Sequence, residues 1–430
     1  MLAIFLAALA NVIGLGVIVP LLPYFALHHG AGPLEATALF SVFSLAQLLT
    51  APLWGRLSDK IGRKPVILIS FAGSALGYLW LAFATDLQMI YLARIFSGVM
   101  NGWLATSQAY VADVTDDEGR AKGMGMLGAA FGLGFVFGPA LGGYLAGEAV
   151  INYQLPMLIA AGGSAIALLV SAVLLREAER HANHGVSTMR FLPQIISIPI
   201  LCTLISLYFG MFFVFAGMES TLALWCERVL DMGPRQVGYY MAFAGICGVI
   251  VQGGLVGRLV PRMGEARVVV MGLLFTGAGL IGLPLVTERI WLLLPIALLF
   301  IGFGFANPSL QSLISRTAPR SMRGGAMGIA QSANSLGRIL GPAWAGFAFA
   351  SIGVAWPFFS GTVLSVHNYE NKNHTNGPVD STDKNIPSGL CARAKNASRP
   401  SELLVAPCFL PNIAAATGPL GYISSTNGLK

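Results

Sequence analysis

The chain has 430 residues, 55% of them hydrophobic and only 10% charged, with a mean hydropathy of +0.71. Soluble globular proteins carry about 25% charged residues, so water is excluded as the solvent for most of this surface and an integral membrane protein is implied. The formal charge of +7 fits basic loops lying beside anionic lipid and does not require nucleic acid.

Apolar stretches of about 20 residues cross a bilayer as helices, because backbone groups there find no water to bond. In chain order the predicted spans are 2–27, 36–54, 65–84, 89–112, 121–147 and 154–175. A second set follows at 197–217, 236–256, 268–286, 290–313 and 325–349, and a twelfth begins near Ala355 and breaks off after Val366. The first span lacks a basic leader and is too long for a signal peptide, so it reads as a retained helix. Loops at 55–65, 113–122, 176–196, 257–267 and 314–324 hold fifteen Lys and Arg, against three in the opposite loops. That asymmetry places the first set of loops, and the N-terminus, in the cytoplasm.

The halves repeat. Gly55, Arg56, Leu57, Gly62 and Val66 recur as Gly257, Arg258, Leu259, Gly264 and Val268. Gly134, Gly138, Pro139 and Gly143 recur as Gly337, Gly341, Pro342 and Gly346. Six spans separate the copies, so both halves run in the same direction, the parallel repeat of many secondary carriers with a site between halves. The expected fold is therefore an all-α polytopic membrane protein of two six-helix parallel repeats, its twelfth helix truncated. It divides into a half at 1–175, a cytoplasmic loop at 176–196, a half at 197–366 and an atypical polar tail at 367–430. That tail holds eight asparagines where the first 366 residues hold six. A frameshift or mis-predicted exon is favoured for it over a fusion or a natural disordered tail. The sequons at Asn373 and Asn396 read as chance.

Polar residues inside a bilayer are costly and mark function. Arg94 falls in the outer part of the fourth span and Arg338 near the middle of the eleventh. Arg338 has three open roles: binding an anionic group, pairing with a carboxylate, or snorkelling. Asn11, Gln47, Asn101, Gln108, Asn307, Gln311, Gln331 and Asn334 are candidate cavity donors, with an interhelical hydrogen bond as the plainer role of each. Tyr208, Phe212, Tyr239 and Trp344 offer an aromatic wall, or face lipid and core. Gly134, Gly138, Gly142 and Gly143 permit close helix approach, and Pro139 favours a bend. The five cysteines show no CxxC or metal spacing. No nucleophile–base set, metal cluster or phosphate-binding loop appears, so no enzyme and no cofactor are expected.

Four stretches resemble the major facilitator superfamily over about residues 1–366. "GRLSDKIGRK" from Gly55 resembles its loop signature between helices 2 and 3. "RIFSGVMNG" from Arg94 partly resembles its helix-4 signature, with Ser97 where Gln is common. "GFVFGPALGG" from Gly134 resembles the helix-5 signature of its antiporter branch, and "GLGVIVPLLP" from Gly14 the helix-1 signature of twelve-span drug exporters. "AYVADVTDDEGRAKGMG" is most similar to the tetracycline-efflux group. The resemblance implies a drug:proton antiporter driven by the proton gradient, working as a monomer in a plasma (bacterial inner) membrane on a small-molecule substrate. It gives Arg94 a role in proton coupling. It also implies a gating latch of Asp59, Arg63 and Asp113, with Gly55 and Gly62 turning the chain. In this latch Asp59 bonds the N-terminus of helix 11 across the halves, and Arg63 bridges to Asp113. The expected acid of tetracycline exporters is missing: Asn11 stands nine residues before Pro20 in its place, and Glu219 and Glu227 flank the outer end of the seventh span. Alternatives are a carrier of polar metabolites such as sugars or organic acids, a membrane sensor, or an inactive truncated product.

Overall fold

The computed structural model describes residues 1–148, 151–177, 192–319 and 322–361, all within the first of two units, Met1–Asn376 and Gly377–Lys430. The polar tail, the truncation of the twelfth helix and most of the loop at 176–196 lie outside the described residues. The described residues form helices and no strand.

In the first half, α1 runs Leu2–Ile18 and, after a 42° bend, Leu22–His28. Then come α2 (Pro33–Ile61), α3 (Arg63–Ala82) and α4 (Leu87–Val99 and Trp103–Val114). The half closes with α5 (Asp117–Ala146) and α6 (Gln154–Leu174). In the second half, α7 is Pro199–Leu230, and α8 is Pro234–Ile250 carried through a π-turn, Val251–Leu255, into Val256–Met263. It continues with α9 (Glu265–Gly282), α10 (Leu293–Thr317) and α11 (Arg323–Ser351), and a further helix starts at Trp356. Among the described residues eight helices are long and apolar enough to span a membrane, or nine with the bent α1 pair. The break at 100–102 divides α4 into pieces too short for that test, and Gln331, Asn334 and Arg338 dilute the hydropathy of α11.

Expected ends shift in α2, α7 and α8, the last running to Met263 beyond the expected 256. The loop signature is largely helical, since α2 runs on through Ile61. Of its two glycines only Gly62 turns the chain, with φ +107°, while Gly55 sits inside the helix. Likewise α7 continues well past the expected end at 217, because Glu219 interrupts the apolar run without interrupting the helix.

Matching caps start the second helix of each half. Pro33 and Pro234 occupy the first turn, where a missing N–H costs nothing. Glu35 Oε2 accepts from Gly32 N at 2.8 Å, and Gln236 Oε1 from Gly233 N at 2.6 Å. Small residues then set the packing. A Cβ on Gly138 would lie 2.6 Å from the Gly16 Cα, so α5 meets α1 backbone to backbone. Gly337 and Gly341 of α11 meet α7 at Phe209 and Phe213 in the same way.

The two halves join through α5 on α8 and α2 on α11. At the end away from Gly62 they are in contact. Tyr24 Oη donates to Met232 O at 2.8 Å, Arg235 pairs with Glu148 at 3.1 Å, and Gly143 lies against Pro234 and Gly238. At the Gly62 end the same four helices carry Gly55, Gly125, Gly128, Gly253, Gly257 and Gly324, and a Cβ on any of them would meet nothing within 4 Å. The halves touch at one end, while at the end bearing the Gly62 and Gly264 turns, called here the hinge end, those glycines of α2, α5, α8 and α11 face open space.

Candidate functional site

Midway along the bundle both halves line one pocket. The first half contributes Leu15, Ile18, Phe40, Phe43, Ser44, Arg94 and Phe135, and the second Ala216, Glu219, Arg338 and Pro342. Its enclosed volume is about 30 Å³, room for a water or two and well short of the roughly 300 Å³ of small ligand sites. The walls are apolar apart from two guanidiniums, one carboxylate and a serine. Arg94 is 4% exposed and lies over the Phe43 ring, 4.2 Å from its centroid. Its Nε is buried without a hydrogen-bond partner among the described residues. Arg338 is exposed, and neither it nor Glu219 makes an ion pair within 4 Å among the described residues. Just beside the pocket, Ser41 Oγ donates to Ile339 O at 2.6 Å, tying α2 to α11.

At the hinge end Arg63 binds three groups: Asp113 Oδ2 at 2.8 Å, Asp59 Oδ1 at 2.6 Å and Ser58 Oγ at 2.9 Å. Glu177 Oε1 accepts from the Arg63 N–H at 2.7 Å, a carboxylate at the positive start of α3. Around Gly264, φ +82°, the second half builds the same joint with charges exchanged. Glu265 starts α9 and takes Arg316 from the end of α10 as its partner, with Ser312 at 3.4 Å.

The sequence model of the Major Facilitator Superfamily matches residues 4–342 and 254–367. The chain belongs to the Major Facilitator Superfamily. Within it, the chain is 32% identical to the class G tetracycline resistance protein of Vibrio anguillarum, over 80% of this chain and 89% of that one. It is 31% identical to the class B tetracycline resistance protein of Escherichia coli, over 78% and 84%. Against multidrug resistance protein 2 of Bacillus subtilis it is 30% identical, over 84% and 93%. Its fold is similar to that of the nucleoside transporter NupG, with a TM-score of 0.75 over 87% of this chain and 99% of that one at 15% identity. The human transporter MFSD10 shares it with a TM-score of 0.67 at 24% identity, over 86% and 97%. The chain is thus a multi-pass membrane transporter of this superfamily.

The superfamily's two halves bring some of the predicted residues together and separate others. Arg94 and Arg338 share the pocket; Asp59, Arg63 and Asp113 share the hinge. The expected bond from Asp59 to the start of α11 is not made among the described residues. Asn11 is buried away from the pocket, accepting from Ser164 of α6 at 2.9 Å. Asn307 accepts from Gln311 at 2.9 Å and from Tyr208 at 3.3 Å, a network joining α10 to α7. Asn334 is buried with its Oδ1 unpartnered among the described residues, while Gln108 and Gln331 are exposed and Asn101 half-buried. Tyr208 and Phe212 pack in the core and Tyr239 and Trp344 face outward; the aromatic walls of the pocket are Phe40, Phe43 and Phe135 instead. Gly134, Gly138 and Gly142 pack on α1, whereas Gly143 crosses to α8, so the helix-5 motif serves both an internal and an inter-half joint. Sequence reasoning set Glu219 at the outer end of the seventh span and missed its place in the pocket, and it missed Glu177 altogether. An acid interrupting a long apolar run was the signal for the first; nothing in local spacing marks the second.

Proposed function

We propose that the protein exports drug-like or amphipathic small molecules in exchange for protons by alternating access, with the hinge end in the cytoplasm. The observation that carries this reading is the pocket itself: both halves line it, they touch at one end, and at the other the glycines of the joining helices face open space. The relatives named as tetracycline and multidrug resistance proteins support the substrate class and the direction. In this reading Asp59 closes the hinge end by capping α11 when the halves meet, Arg94 takes part in proton coupling, and the helix-5 glycines let the halves rock without a leak. The carrier acts as a monomer in the lipid bilayer. In inverted membrane vesicles acidified inside, addition of a transported amphipathic dye releases lumenal protons and the dye accumulates. A dye that accumulates equally after an uncoupler removes proton exchange from the account. Membrane-impermeant labelling of cysteines at positions 60 and 262 from opposite faces removes the shared cytoplasmic placement.

A further inference from the structure

The pocket holds two guanidiniums and one carboxylate, Arg94 and Arg338 with Glu219, and so carries one unmatched positive charge. A buried cation without a counter-ion is strongly unfavourable unless something else supplies the anion. Arg94 is the sharpest case: nearly fully buried, its Nε is without a partner among the described residues and its guanidinium rests on the face of Phe43. From the other half, Arg338 enters the same space, and Glu219, on its own half, is the internal competitor for both. We infer that the pocket binds the anionic head of an amphipathic organic anion, a carboxylate or sulfonate, bridged between Arg94 of the first half and Arg338 of the second. This rests on the central pocket being the transported molecule's site. The size agrees: the enclosed volume of about 30 Å³ takes a head group and not a drug-sized body. Leu15, Ile18, Phe40 and Phe135 surround that head-group space with apolar walls. Two oxygens of a carboxylate or sulfonate match the forked donors of a guanidinium, which a lysine ammonium would not offer. Because the two arginines come from different halves, the anion ties α4 to α11 across the transport path.

The test uses the full chain in detergent with two probes of one ring system, 2-naphthalenesulfonate and 2-naphthyltrimethylammonium, by titration calorimetry. The sulfonate binds and the ammonium binds at least about tenfold more weakly, the scale of one charge-assisted hydrogen bond. Arg338→Gln and Arg94→Gln each weaken the sulfonate by about tenfold, Arg338→Lys keeps part of the affinity, and Glu219→Gln strengthens it. Thermal unfolding of each variant separates lost binding from lost fold, and Arg338, being exposed, is the safer of the two. Preference for the ammonium, with Glu219→Gln abolishing it, overturns the inference while leaving export through this pocket standing. Sulfonate affinity indifferent to Arg338→Gln and Glu219→Gln also overturns it. If neither probe's binding nor dye efflux responds to any of these variants, the central-pocket reading falls as well.

Discussion

At the Gly62 hinge the cation starts the helix, with Arg63 on α3, and the anion, Asp113, ends α4. At the Gly264 hinge the anion, Glu265, starts α9, and the cation, Arg316, ends α10. The repeat preserves a charge pair across these helices and leaves its sign free, so the joint is what both halves need. The halves differ in what else is attached. Arg63 also holds Asp59 and Ser58 of α2, and Glu177 caps α3, so α2, α3 and α4 are tied as one body. Pro261 stands where Asp59 would repeat, and α8 ends at Met263 with no such tie among the described residues. In the proposed latch the first hinge acts on the opposite half, and the second steadies only its own.

Replacing Asp59 sharpens that contrast most. A carboxylate at a partly buried helix N-terminus contributes up to about 2 kcal/mol, or roughly 30-fold in the population of the state closed at the hinge end. Asp59→Asn is expected to drop dye efflux to near background with normal protein in the membrane, while Pro261→Asp leaves efflux almost unchanged. Equal losses from both would erase the distinction between the hinges.

Next comes stability. Arg63 and Asp113 side chains are each 17% exposed, whereas Arg316 is 70% exposed. Removing one partner of a fully buried pair costs about 3–5 kcal/mol; partial exposure lowers this to about 1–3 kcal/mol for Arg63→Ala. Arg316→Ala falls in the exposed range, below about 1 kcal/mol. Thermal unfolding of the two variants measures the gap, and a larger shift for Arg316→Ala would break the comparison.

A smaller difference separates the turns. Both glycines hold positive φ with extended ψ, a region that costs another residue on the order of 1–3 kcal/mol. A Cβ on Gly62 would also come within 2.8 Å of the Glu177 carboxylate, while one on Gly264 meets nothing within 4 Å. Gly62→Ala therefore lowers the unfolding temperature more than Gly264→Ala, with Glu177→Ala narrowing the gap.

The architecture was legible because it rests on period, polarity and repetition. Apolar runs long enough for a bilayer are properties of neighbouring residues, and they located the helices that the structure describes. The close approach of α5 to α1 was legible for the same reason: a stripe of Gly134, Gly138 and Gly142 leaves one face of a helix bare. The pocket was harder to read. Arg94 and Arg338 stood out as charges within apolar spans, but their meeting depends on two helices from different halves. Glu219 was hidden by its own effect, since an acid shortens the apolar run by which a span's end is judged. Asn11 misled because polarity in a span does not say which neighbour satisfies it; a serine 153 residues away does so here. Glu177 caps a helix far from it in sequence, a relation no local pattern records.

The smallest effect is expected from exchanging the charges of the second hinge. Glu265→Arg alone sets two cations at the start of α9, one at the positive end of a helix dipole, and Arg316→Glu alone sets two anions together. Like charges in contact reverse the small gain of an exposed pair, and the Glu265→Arg change adds the dipole term of about 0.3–1 kcal/mol. The double variant restores the attraction in the sense already used by Arg63 and Asp113, retaining only that dipole term. Its stability should return to within about 1 kcal/mol of the original, with efflux unchanged, whereas each single change is worse than the double. A double variant as damaged as the sum of its parts would mean that the sign of the pair matters at Gly264. The two hinges would then differ in kind, and the reversed charges would be a requirement of the second half, not a freedom left to it by the repeat.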